Sequence, residues 1–156
     1  MHKIKWKSLI ISLILSFGIG ALSGFLTSGS MEVYKKLKQP PLSPPAAVFP
    51  FVWTVLFLLM GISAYLIYNE NAYDSGKALL LYGVQLLVNF LWPIFFFNMH
   101  LYLFSFIWIL FLWVLIILMI RQFYKINKTA AYLQIPYLLW VTFAAYLNLA
   151  VALLNK

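Results

Sequence analysis

The chain has 156 residues, of which 65% are hydrophobic and only 9% are charged. Soluble domains carry about 25% charged residues, so this composition belongs in a bilayer, and the length allows one domain. The absence of cysteine excludes disulfides, zinc–thiolate sites and thiol nucleophiles. The net charge of +8 arises from eleven cations gathered at the polar joints between apolar runs, which fits a membrane protein rather than a nucleic-acid binder.

The first apolar run covers about 8–26 and follows Lys3, Lys5 and Lys7. A signal peptide has an apolar core of about 7–15 residues, whereas this run is long enough to span, which predicts a retained helix. Ser12, Ser16, Gly20, Gly24 and Ser28 recur at every fourth position, a small-residue stripe that lets another helix backbone come close. Packing inside one bundle is the favoured use of that stripe, so a homodimer, if formed, is expected to use a different seam.

Residues 27–47 form a long first loop, with a short helix expected over Met31–Leu37. Pro40, Pro41, Pro44 and Pro45 follow, and Pro50 stands just beyond. Proline fixes φ and biases its predecessor towards extended backbone, which predicts a stiff polyproline-like strap over 39–45, placed as a lid. The second run, about 48–68, puts Trp53, Phe57, Met60, Gly61 and Ala64 on one helical face, and the small Gly61/Ala64 patch leaves room beneath Trp53.

The third run, about 78–97, carries Tyr82, Gln85, Asn89, Trp92 and Phe96 as a single stripe. Two amides at membrane depth are costly unless bonded, so they either face a ligand or tie helices together. Pro93 cannot donate to the carbonyl of Asn89, which places a free carbonyl and an amide side chain at one kinked point. Only three residues separate this run from the fourth, about 101–120, making the two antiparallel neighbours. Trp108 and Trp113 stand in the fourth run without a polar companion in the sequence pattern and read as packing or lipid-facing residues. The fifth run, about 129–154, bends near Pro136 and presents Tyr137, Trp140, Ala144, Leu147 and Asn148 on one face.

The three acids Glu32, Glu70 and Asp74 and the two histidines His2 and His100 all fall in loops. No carboxylate pair, serine–histidine–acid set or metal cluster is present, so no catalytic residues, metal or required cofactor are expected. A proton-coupled transporter would need ionisable groups at depth. A binding protein fits better.

Taken in order, Tyr34-x-x-Leu37, Pro40-Pro41-x-x-Pro44-Pro45, Val48-Phe49-Pro50-x-Val52-Trp53 and Met60-Gly61 resemble the tryptophan-rich sensory protein (TspO), or translocator protein, family. Gln85-x-x-x-Asn89-x-x-Trp92 and Pro136-Tyr137-x-x-Trp140-x-x-Phe143-Ala144-x-x-Leu147-Asn148 agree with it. The resemblance implies an all-α, five-helix membrane bundle whose first loop covers a pocket. Members of the family bind porphyrins such as protoporphyrin IX and haem, and synthetic isoquinoline and benzodiazepine ligands. The pocket residues it implies are Tyr34, Trp53, Phe57, Asn89, Trp92, Trp140, Ala144 and Leu147, and the polar positions Gln85 and Asn148 of the same faces join them. The function implied is a receptor or sensor for porphyrin-like aromatics, with light-dependent porphyrin degradation and tetrapyrrole transport as alternatives. Tyr146 is followed by no Lys or Arg until Lys156, so the family's sterol motif is missing and sterol transport is not expected.

Five spans put the termini on opposite sides of the cell membrane. Lys3, Lys5, Lys7, Lys77, Arg121, Lys125 and Lys128 lie on the N-terminal side, against Lys35, Lys36, Lys38 and Lys156 on the other, so the N-terminus is expected in the cytoplasm. Single cysteines at Ser30 and Ser75 should accordingly label from opposite sides of intact cells, Ser30 from outside. Same-side labelling would contradict the five spans, and cytoplasmic labelling of Ser30 would reverse the orientation.

Overall fold

The computed structural model describes residues 3–156, so His2 lies outside the described residues. Helices account for nearly all of it, because a chain in hydrocarbon must satisfy its backbone groups within each segment. Helix α1 spans Trp6–Thr27, and a 3₁₀ turn at Ser28–Ser30 leads into the short α2, Met31–Lys35. Helices α3 (Val48–Glu70), α4 (Ser75–Pro93) and α5 (Tyr102–Ile126) follow, then α6 (Lys128–Leu133) and α7 (Ile135–Leu154). Five spans result: α1, α3, α4 with the turn that extends it, α5, and α6 with α7.

The helix ends have local causes. Asn71 ends α3 in the left-handed conformation at φ 52°, which asparagine tolerates. Pro93 closes α4, and the chain continues as one wide π turn over Ile94–Asn98 rather than as a simple kink. The side chain of Asn127 caps α6 by accepting from the Ala130 amide at 3.0 Å, and its amide donates to Glu70 at 2.7 Å, joining the end of α3 to the start of α6. The break in the last span falls at Gln134. Pro136 lies in the first turn of α7, where its missing N–H is harmless, so it begins a helix instead of bending one.

Side-chain hydroxyls and indoles that reach a neighbouring helix stitch the bundle together. Ser12 and Ser16 of α1 donate to the carbonyls of Gly61 (2.7 Å) and Phe57 (2.9 Å) on α3. Ser63 donates to the Ala130 carbonyl at 2.7 Å, holding α3 to α6. Trp108 donates to the Val88 carbonyl at 2.8 Å, which joins α5 to α4 as the short connection requires. Trp113 donates to Thr142 Oγ1 at 2.8 Å, joining α5 to α7. Both tryptophans therefore have polar partners that their sequence surroundings do not reveal. Met60, Ile67, Ile116, Met119, Phe123 and Val141 fill the core, while Ile14, Phe25, Leu103, Ile107 and Phe111 face outward on α1 and α5.

The small residues of α1 serve this packing along the lower part of the helix. A carbon added at Gly61 would lie 2.8 Å from Leu13 Cδ2 and Ser16 Oγ and 3.2 Å from Leu13 Cα, so α1 occupies the space expected beneath Trp53. At Gly20 the added carbon would stand 2.5 Å from the Phe57 ring, but at Gly24 it would meet nothing within 4 Å. Gly61→Leu is therefore expected to destabilise the bundle by about 1–3 kcal/mol, read as a lower unfolding temperature in detergent, with Gly24→Leu close to the parent. Equal behaviour of the two would show that α1 does not pack through Gly61.

A tryptophan-lined cavity under the first loop

Above the contact between Gly20 and Phe57 the helices part around a cavity of about 580 Å³. Of the sequence-predicted residues, Tyr34, Trp53, Phe57, Asn89, Trp92, Trp140, Ala144, Leu147 and Asn148 line it. Helix α3 supplies Trp53 and Phe57, with ring centroids 5.6 Å apart. Trp92 stacks on Phe96 at 5.5 Å where α4 passes into its π turn, and Tyr34 from the first loop meets Phe97 edge-on at 5.3 Å. On the opposite wall Trp140 packs edge-on against Phe49 at 5.9 Å. The wide turn after Pro93 is what brings both Phe96 and Phe97 to the same rim. No charged side chain lines the cavity among the described residues.

Gln85 is the exception. It is fully buried and, like its hydrogen-bond partner Tyr137, does not line the cavity. Tyr137 donates to Gln85 Oε1 at 2.7 Å and accepts from Asn89 Nδ2 at 2.7 Å, while the Gln85 amide approaches Met60 Sδ at 4.0 Å. Of the two uses open to these amides, Gln85 thus ties helices together, and Asn89 does so with its nitrogen while still bordering the cavity. Asn148 is engaged as well: it accepts from Trp92 Nε1 at 2.9 Å and donates to the Tyr102 carbonyl at 2.8 Å. The indole N–H of Trp140 is buried without a partner.

The prolines of the strap are not cavity residues either. Pro40, Pro41, Pro44 and Pro45 stand outside the lining, and the segment presents Ala46, Phe49 and Pro50 to the cavity instead. Nor is the strap extended throughout: Ser43 donates its amide to the Pro40 carbonyl at 3.3 Å, closing a turn in which Leu42 has φ 68°. The turn docks on α7. Asn155 accepts from the Lys38 amide at 2.9 Å and donates to the Lys38 carbonyl at 3.1 Å, and Tyr146 donates to the Pro41 carbonyl at 2.9 Å. These anchors lie more than a hundred residues away in sequence, and no local signal announces them. Sequence reasoning also missed Phe17, Gly20, Ser23 and Gly24, which form the α1 wall. The small-residue stripe was the available signal.

The fold and site define a multi-pass helical membrane protein with an uncharged, aromatic internal cavity closed over by its first loop. Comparison with known proteins gives the family. Residues 11–154 match the TspO/MBR family, and the chain belongs to it. It is 35% identical over 152 residues to the tryptophan-rich protein TspO of Chlorobaculum tepidum, covering 95% of this chain and 94% of that one. The tryptophan-rich sensory protein of Cereibacter sphaeroides is 32% identical, over 95% of this chain and 92% of its own. The translocator protein of Ovis aries is 33% identical, over 74% of this chain and 70% of its own.

The Tyr137 hydroxyl satisfies two buried amides at once. Tyr137→Phe leaves Gln85 Oε1 and Asn89 Nδ2 without that partner, and each orphaned group costs about 1–3 kcal/mol. Thermal unfolding in detergent should fall clearly in this variant, and an unchanged midpoint would show that the chain does not hold α4 to α7.

Proposed function

We propose that this protein is a membrane receptor or sensor for porphyrins and related flat aromatic molecules, bound in the cavity under the first loop. The observation that carries the proposal is the convergence of Trp53, Trp92 and Trp140 on one uncharged space of about 580 Å³. That volume falls within the range of about 300–1,000 Å³ usual for small-molecule sites. Indole faces provide large, polarisable contact area for a flat conjugated ring.

A tetrapyrrole also carries carboxylates, and an uncharged interior cannot take them. They would sit at the lid end, where Lys36 and Lys38 are exposed and Lys35 lies 3.5 Å from Glu32. The tryptophan-rich sensory protein among the relatives supports a sensory role by its name. We place the protein in the cell membrane with the N-terminus in the cytoplasm, following the distribution of cations.

Titration of purified protein with protoporphyrin IX, followed by tryptophan quenching and by the porphyrin's own absorbance, tests the proposal. Trp53→Ala and Trp140→Ala should each weaken binding by about 1.5–3 kcal/mol, a ten- to hundredfold rise in Kd. The absorbance signal separates lost affinity from lost fluorescence. Binding as tight as the parent's in both variants would place the porphyrin elsewhere.

A further inference from the structure

The seam between α1 and α3 is shut along one half and open along the other. At the N-terminal end the Lys5 amide donates to Tyr65 at 2.9 Å, and Ser12 and Ser16 follow with their bonds to the Gly61 and Phe57 carbonyls. The two serine pairs set an antiparallel register, in which a step of four along α1 meets a step of four back along α3. Continued by two steps, that register places Gly24 opposite Phe49. Yet a carbon added to Gly24 meets nothing within 4 Å, so the two helices have separated. Gly24, Ser28, Pro50 and Thr54 on the facing flanks are exposed, and all four also line the cavity.

We infer that this gap is a lateral portal through which an acyl chain of the surrounding bilayer enters the cavity. Its mouth is apolar. The Thr54 hydroxyl donates to the Pro50 carbonyl of its own helix at 2.7 Å, and that of Ser28 to the Phe25 carbonyl at 2.9 Å, so neither offers a free donor to the opening. Leu22, Phe25, Phe51 and Val55 beside the gap are exposed large hydrophobics on membrane-spanning helices, which is the surface that hydrocarbon covers. The lid end is held down by the strap's three hydrogen bonds to Tyr146 and Asn155, so the side route is the one that needs no bond broken. The uncharged lining makes the interior compatible with a methylene chain, and small residues at the mouth leave the width a chain needs.

The experiment uses the full chain in liposomes of phosphatidylcholine carrying a photoactivatable diazirine on its acyl chain, with labelled residues located by mass spectrometry. Asn89 and Leu147 are almost wholly buried within the bundle but line the cavity, so they report on entry. Label at either one is expected in the parent protein. It should be lost in Gly24→Phe and in Thr54→Phe, which plug the gap from opposite sides, while Phe111 on the outer face of α5 keeps its label. Two variants guard against one that fails to fold, since the Phe111 label and the elution profile in detergent report integrity. Label confined to outer faces in the parent, or undiminished cavity label in both plugged variants, would overturn the portal. No porphyrin is present in the assay, so its result stands apart from the identity of the aromatic ligand.

Discussion

The hydroxyl of Tyr137 is the point on which the arrangement of the cavity depends. It reaches from α7 to two amides of α4 spaced one turn apart, donating to Gln85 and accepting from Asn89. In a hydrocarbon surrounding these groups have no water to fall back on, so the three side chains must find one another. Their meeting fixes the rotation of α4 against α7. Trp92 stands three residues beyond Asn89, and Trp140 three residues beyond Tyr137, and both indoles line the cavity.

Several other polar side chains follow the same rule. Trp92, Trp108 and Trp113 each commit the indole N–H to another helix, and the hydroxyls of Ser12, Ser16 and Ser63 reach carbonyls across helix seams. Bonds of this kind need close backbone approach, which small residues permit. Where Ser12, Ser16 and Gly20 stand along α1, the seam with α3 is closed. Where Gly24 stands, a carbon added to the backbone would meet nothing within 4 Å.

The first loop joins this scheme through its backbone. Asn155 pairs with both the amide and the carbonyl of Lys38, much as a neighbouring strand would. The prolines cannot donate, so the strap relies on carbonyls and on a few remaining amides for anchorage. Leu42, in the left-handed region at φ 68°, marks the turn where the strap reverses over the end of α7. Stiffness from proline and attachment through asparagine and tyrosine together hold Phe49 and Pro50 at the cavity's roof.

Much of this was legible in the sequence, since length, hydropathy and charge suffice to specify five spans, and helical spacing places tryptophans, amides and small residues on shared faces. Nine of the ten residues expected in the cavity do line it: those on the spans follow from a fixed helical period, while Tyr34 was implied by the family resemblance alone. Depth behind that face is another matter. Gln85 and Asn89 share a stripe and both bond the Tyr137 hydroxyl, yet only Asn89 borders the cavity. The partners of Trp108 and Trp113, the filling of the Gly61 notch by α1 and the docking of the strap on Asn155 were likewise decided by tertiary structure. Each depends on which helix lies across the seam and at what register, and a one-dimensional period carries no information about either.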